Sequence, residues 1–465
     1  MGSEVTGDAR RARYSFWLET AGEDLAQRAS LPGDTTVDVA IAGAGFAGLW
    51  TAYYLAKADP SLRIAVLERE IAGFGASGRN GGWCTATFSV DGPGVASRYG
   101  RHAALALQRA MFDSVDEVGR VCAAEGIDAH YAKGGTTTIA TSRPGADRLR
   151  TGVEASRAWG WGPQDLTWLE PGEVRDRIAA DRCLGGTYTP HCAALHPARL
   201  ARGLARAVER LGVRIFEGTT VRQISGRRID TDHGVVRCEV AVRCLEAYTA
   251  SMPGQDRLLL PLHIYMIATE PLPSTFWDAI GWRHRETLAD PSYSFLYAQR
   301  TADGRIAVGG KHAEYAYGSK VDDAPRGDAL TERRILATLR SLFPRLPDGC
   351  VSHRWGGFIG IPRDWFGSAG YDPGTGFAWA GGYVGDGVSE SNLGGRALAD
   401  LILRRDTQVA RLPFVNHVWP GWEREPIRWL GVSLANRLMV AADRMESWTS
   451  RPSPIAGLAT RLMGR

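Results

Sequence analysis

The chain has 465 residues, 44% hydrophobic and 23% charged, with a net charge of only +4. That is the balance of an ordinary globular protein of two to three domains, and it lacks both the basic clustering of a nucleic-acid binder and any run of about 18 apolar residues that could span a membrane. Seven scattered cysteines form no C-x-x-C pair or other metal-ligand spacing, and "MGSEVTGDARRARYSFW" lacks the apolar core of a secretory signal; reduced thiols, a cytoplasmic location and no metal are expected.

Val37 to Ala42, "VDVAIA", reads as a buried parallel strand. It runs into "GAGFAGLWTAYYLAKA", where Gly43, Gly45 and Gly48 hold the spacing G-x-G-x-x-G around Phe46 and Ala47. The helix that follows ends near Ala58, because Pro60 cannot continue it. "RIAVLERE" supplies the next strand and brings Glu68 and Arg69, the acid standing about 25 positions beyond Gly43, near the place of one that binds a ribose hydroxyl. Gly43 allows the tight turn, Gly45 lets backbone approach a pyrophosphate, and Gly48 lets helix pack on strand. The helix N-terminus offers unpaired N–H groups to the phosphates. Strand, glycines, helix and acid together predict a dinucleotide site, and Glu68 favours an unphosphorylated ribose, hence FAD or NAD rather than NADP.

Next comes "GFGASGRNGGWCTA", where an NAD dehydrogenase would go directly into its next helix. Ala76, Ser77, Arg79, Asn80, Gly81 and Gly82 offer donors and small backbone, and Trp83 could wall a cavity. Further on, "PLHIYMIATEPL" is strand-like and carries His263 and Tyr265, while "SYSFLYAQRTADGRIAVGGKH" reads as a hairpin about Asp303-Gly304. A two-residue turn there puts Tyr293, Phe295 and Tyr297 on one face with Ile306, Val308 and His312. Leu296, Ala298, Arg300, Arg305, Ala307, Gly309 and Lys311 then share the other face, with room for a ligand near Ala298 and Gly309 and for Lys311 to reach in. "FAWAGGYVGDGVSESNLGGRALADLILRR" reads as a strand, a glycine turn from Gly381 to Gly387 holding Gly382, Tyr383, Gly385 and Asp386, and a helix from about Ser389 to Arg404. A second helix N-terminus, beginning near Val388, suits the electron-rich pyrimidine end of a flavin. The two glycine stretches favour FAD over NAD. The tail from Leu412 is helical, with Trp419, Trp422 and Trp429 at its start.

"ASGRNGG", "HPARLARGLARAVERLGVRIFEGTTV", "IATEPLP", "RWGGFIG" and "WEREPIRWLG" are similar to motifs of the FAD-dependent amino acid and amine oxidoreductases related to D-amino acid oxidase, glycine oxidase and sarcosine oxidase. The chain resembles most closely the branch that includes γ-glutamylputrescine oxidase, from about Tyr14 to the end. The resemblance implies a mixed α/β fold with a Rossmann-type FAD-binding domain in residues 14–90, 190–252 and 351–412. It is interleaved with a substrate domain on a mixed sheet (91–189 and 253–350), and 413–465 form a helical extension. It also implies that Gly43 to Glu68 hold the ADP half of FAD and that Ser77 to Gly82 pass along the pyrophosphate and flavin. Backbone near Val221 would contact the adenine, Gly357 would lie near the cofactor, and Gly381 to Val388 would hold the pyrimidine edge. The FAD is expected to be non-covalent, since the Trp83-Cys84 and Gly360-Ile361 regions do not supply the histidine or cysteine that relatives use.

Two residues depart from the family. Glu246, in "CLEAYT", stands near the cofactor where a small or neutral residue is usual. Asp386 stands where many relatives carry histidine, and its expected role is to cap the following helix. The oxygen-activating lysine of sarcosine oxidases aligns with Ala307, on the same predicted face as Lys311, and the pair that grips a substrate carboxylate aligns with Phe88 and Ser389. Lys311, Tyr265, His263 and Ser389 are therefore the candidate substrate-cavity residues. The implied activity is oxidation of a C–N bond in an amine or amino acid, with O2 or another electron acceptor and no nucleic-acid or membrane partner. A flavin dehydrogenase acting on a non-amine, or a non-catalytic flavoprotein subunit, is the alternative; nothing in the sequence fixes the oligomeric state.

Overall fold

The computed structural model describes residues 11, 13–323 and 328–463. Strands Val39–Ala42 and Ile64–Leu67 are buried at every residue, as strands covered on both faces must be. They are central to a six-stranded sheet ordered Ser368–Asp372, Phe377–Gly381, Val240–Arg243, Val39–Ala42, Ile64–Leu67, Arg214–Phe216. All its pairs are parallel except the first. From Val39–Ala42 the chain moves first to Ile64–Leu67 on one side and later to Val240–Arg243 on the other. That reversal opens a crevice at the carboxyl ends of these strands. Helix Phe46–Ala58 packs against helices Pro197–Arg210 and Gly387–Ile402, and His196 starts the former by accepting the Arg199 N–H on its ring at 3.2 Å. Burial pushes the His196 imidazole down to about 3, so this cap stays neutral and able to accept.

A second, mixed sheet has eight strands in the order Val351–Ile361, Leu260–Thr269, Ile306–Tyr315, Leu296–Arg300, Thr287–Ala289, Thr136–Ile139, Gly186–Thr189, Thr167–Leu169. Strand Val351–Ile361 pairs along its length with Leu260–Thr269, so it builds this sheet.

The hairpin of this sheet differs from expectation by one residue. Its pairs run Leu296 to Gly310, Ala298 to Val308 and Arg300 to Ile306. A five-residue loop replaces the two-residue turn, because the Thr301 hydroxyl accepts the Arg305 N–H at 2.8 Å and donates to Asp303 at 2.6 Å, a local bond that competes with the ladder. A slip of one moves the side chains of Leu296–Arg300 to the opposite face from that expected, while those of Ile306–Gly309 keep theirs. Leu296, Ala298, Ile306 and Val308 enter the core beneath helix Ala329–Leu342. Tyr297 and Gln299 share the opposite face with Ala307 and Gly309, and that face presses on the Gly81-Gly82 backbone.

The tail forms helices Ile427–Thr449 and Ala456–Leu462. It is fastened by Trp419 Nε1 donating to the Phe366 carbonyl at 2.8 Å, Trp422 Nε1 to the Ile361 carbonyl at 2.7 Å, and Arg148 pairing with Glu446 at 3.0 Å. Among the described residues no helix is long and apolar enough to cross a membrane, and no group of three metal-ligating side chains occurs.

Candidate cofactor and substrate site

A cavity of about 580 Å³ occupies the crevice at the strand ends. One end is walled by Gly43, Gly45, Phe46 and Ala47 at the start of helix Phe46–Ala58, and by Glu68 and Arg69. Ala76, Ser77 and Asn80 line its middle, with Thr219 and Val221 beside them. Tyr383, Gly385, Gly387 and Val388 close the other end, at the N-terminus of helix Gly387–Ile402. Two helix N-termini therefore face one slot, the arrangement that suits a ligand with phosphates along its length and developing charge at one end.

The details fit FAD. The Glu68 carboxylate accepts the Ala44 and Glu70 N–H groups at 2.9 Å each, which fixes it at the strand end with lone pairs left for a ribose hydroxyl. Burial raises its pKa, against the pull of those two N–H groups. Ser77 Oγ accepts the Phe46 N–H at 2.8 Å, leaving its own proton to donate toward a phosphate. A Cβ on Gly45 would stand 3.0 Å from that hydroxyl, and one on Gly48 only 2.0 Å from the Gly43 carbonyl oxygen. Gly48 thus acts beneath the cavity, through packing.

Several candidates lie outside the lining. Gly81 and Gly82 are small because the second sheet leans on them: a Cβ on Gly81 would stand 2.7 Å from the Tyr297 ring. One on Gly82 (φ +68°) would stand 2.0 Å from Gln299 Nε2 and 2.3 Å from the Leu195 carbonyl oxygen. Gln299 Nε2 bridges the Gly81 and Leu195 carbonyls at 2.7 and 3.1 Å. Arg79 is buried between the Tyr14 and Phe74 rings and pairs with Asp323 at 2.9 Å, a carboxylate that also holds Arg69 at 2.7 Å. Gly357 packs on Arg79 and Gly382 on Trp419, and Trp83 donates to the Ala298 carbonyl at 3.2 Å.

The candidate substrate-cavity residues are not brought together. Lys311 (φ +64°) turns to Asp290 and Ser292, at 2.5 and 2.8 Å. Tyr265 is buried in the core on the far side of the sheet with Ile267 and Leu296. His263 packs on Phe358, a residue that does line the cavity, and Ser389 donates to the Thr85 carbonyl. Asp386 stands at the N-cap position of its helix but makes no capping hydrogen bond. Its φ and ψ of −90° and 19° depart from the extended backbone that aims a side chain at the first-turn N–H groups. The expected cap is absent.

A second cavity of about 660 Å³ is walled by Thr85, Phe88, Phe112, His191, Asp364 and Trp365, and Ser389, the neighbour of Val388 in the first cavity's lining, donates to the Thr85 carbonyl. His191 stacks on Phe112 with ring centroids 3.6 Å apart and bonds Asp165 at 3.0 Å. Although burial pushes Asp364 up, His417 at 2.8 Å and Arg98 at 3.2 Å hold it below the usual carboxylate range. Except for Phe88, none of these walls carries a sequence signal, because they converge from segments far apart in the chain.

A family model described as FAD dependent oxidoreductase matches residues 38–401. The chain belongs to this family. As an FAD-dependent oxidoreductase, it has relatives along most of its length. It is 29% identical over 420 residues to γ-glutamylputrescine oxidoreductase of Escherichia coli, covering 87% of this chain and 94% of that one. It is 27% identical over 394 residues to glycine oxidase of Geobacillus kaustophilus, covering 81% and 96%. The solved structure of glycine oxidase from that organism superposes with a TM-score of 0.66 at 23% identity, over 83% of this chain and 100% of that one. L-proline dehydrogenase from P. horikoshii superposes at 0.68 and 17% identity, over 82% and 96%. These likenesses show that the oxidoreductase shares their mixed α/β fold.

Proposed function

We propose that this oxidoreductase oxidises the C–N bond of an amine or amino acid, with non-covalent FAD in the slot from Glu68 to Val388 and the substrate in the cavity beyond Thr85. What supports the reading is the nearness of the two cavities: Val388 lines one, Thr85 lines the other, and Ser389, next to Val388, donates to the Thr85 carbonyl. FAD supplies the hydride acceptor; the amine gives up a hydride and a proton, and water splits the imine into a carbonyl compound and an amine.

The protein's own residues position and exclude. Phe88, Phe112 and Trp365 give the second cavity aromatic walls, and exclusion of water by the bound substrate favours the neutral amine that can release hydride. Placement of the carbon then accounts for most of the rate. Asp364 enters the same cavity already paired with Arg98 and His417, which marks the end suited to a polar group distant from the reacting carbon. The names of the relatives make putrescine derivatives, glycine and proline the first compounds to try.

One observation favours a dehydrogenase over an oxidase. Ala307 is fully buried with Met266, Ala268 and Trp355, so the place aligned with the oxygen-activating lysine holds no cation. Anaerobic mixing with an amine panel tests the main reading: the yellow protein bleaches with its true amine, whereas protein that binds no FAD contradicts it. Oxygen uptake measured during turnover separates O2 from another acceptor.

A further inference from the structure

Glu246 combines three features that are rare together. Its backbone is left-handed, with φ +47°, a region that a long side chain adopts only when its surroundings impose it. It lines the cofactor cavity. Its carboxyl is buried: Oε1 accepts the Tyr383 N–H at 2.9 Å, whereas Oε2 has no hydrogen-bond partner. That second oxygen fills the space beside Gly360, where a Cβ would stand 2.1 Å from it. Glu246 thereby joins the glycine turn at the flavin end to strand Val351–Ile361.

The groups around it are acidic or neutral. Tyr383 faces it from the glycine turn, Cys244 lies just past strand Val240–Arg243, and Asp386 and Glu390 stand at the start of helix Gly387–Ile402. Of the basic side chains nearby, Arg243 turns to Gln255 at 2.6 Å and Arg69, which lines the same cavity, pairs with Asp323 at 2.7 Å, so each is engaged elsewhere. Both Glu390 oxygens are buried without a hydrogen-bond partner, and burial with Asp386 and Glu246 nearby pushes that carboxyl well above its ordinary range.

We propose that Glu246 is a proton-linked positioning residue of the cofactor site, which pins the flavin-side turn and takes up one proton when FAD fills the cavity. The inference rests on FAD being the occupant of this slot. An ionised carboxylate in a cavity that also holds a pyrophosphate is disfavoured where water is excluded. Burial already pushes this carboxyl up to about 7, against the pull of the Tyr383 N–H that it accepts. FAD raises it further. By linkage, affinity for FAD is complete below that value and falls as pH rises through it, approaching tenfold per pH unit for one proton.

The test titrates FAD-stripped protein with FAD from about pH 6 to about pH 9, reading flavin fluorescence for affinity and calorimetry in two buffers for proton uptake. Wild type is expected to lose roughly tenfold in affinity per pH unit above about 7 and to take up close to one proton at about pH 8. Glu246→Gln and Glu246→Asn, the latter suited to the left-handed backbone, should show a nearly flat profile and little uptake. A wild-type slope retained in either variant overturns the proposal. If neither variant folds, the wild-type protein decides alone: FAD binding without proton uptake overturns this proposal and leaves the cofactor site standing. Failure of wild type to bind FAD at any pH overturns the cofactor reading, and this one with it.

Discussion

Two glycine-rich stretches, "GAGFAG" and "GRNGG", lie within 40 residues of each other and serve different masters. In the first, Gly43 and Gly45 open the cavity wall and Gly48 lets the helix close on the strand. In the second, Gly81 and Gly82 yield to Tyr297 and Gln299 of the other sheet, and only Asn80 of that stretch lines the cavity. A glycine needed by a cofactor and one needed by a neighbouring side chain look the same in a sequence. What separates them is which atoms a Cβ would strike.

Substitutions can break that distinction. Gly82→Ala meets a backbone carbonyl and a buried amide in a left-handed conformation, so it should cost about 3 kcal/mol or more in stability, read by denaturant unfolding. Gly48→Ala should cost about 2–3 kcal/mol by overpacking against the Gly43 carbonyl and should also release FAD, read as loss of yellow colour on gel filtration. Gly81→Ala sharpens the comparison. Its clash is with a side chain, so its cost should shrink in a Tyr297→Ala background, with a coupling of about 1–2 kcal/mol in the double-mutant cycle. Ser77→Ala leaves the Phe46 N–H without its acceptor and should cost about 1 kcal/mol, with a several-fold weaker FAD affinity by fluorescence titration. Were Gly82→Ala harmless to folding but fatal to FAD binding, the assignment of the second stretch to the sheet interface would fail.

The same contrast explains what was legible in the sequence. The first βαβ unit announces itself because strand, turn, helix and acid are local and each residue type answers one need. Helix Gly387–Ile402 was read with its start two residues late, for similar reasons. The faces of strand Leu296–Arg300 are not legible because Thr301 and Asp303 build a longer loop from their own side chains, and one residue of register reverses that strand's side chains. Lys311 leaves the open face for another reason, its left-handed backbone, which turns it to Asp290 and Ser292, and Tyr265 on the neighbouring strand enters the core. The walls of the second cavity come from Thr85, Phe112, His191 and Asp364, too far apart in the chain for any spacing to connect them. Asp386 looked like a cap by residue type, and only its dihedral angles show otherwise.

The most direct test of the central claim is an anaerobic titration of the purified, FAD-loaded protein with putrescine derivatives, glycine and proline, followed by flavin absorbance and by carbonyl product. The account predicts that at least one amine bleaches the flavin stoichiometrically and yields the matching carbonyl compound. Flavin that stays oxidised across the panel yet is reduced by a non-amine substrate would contradict it.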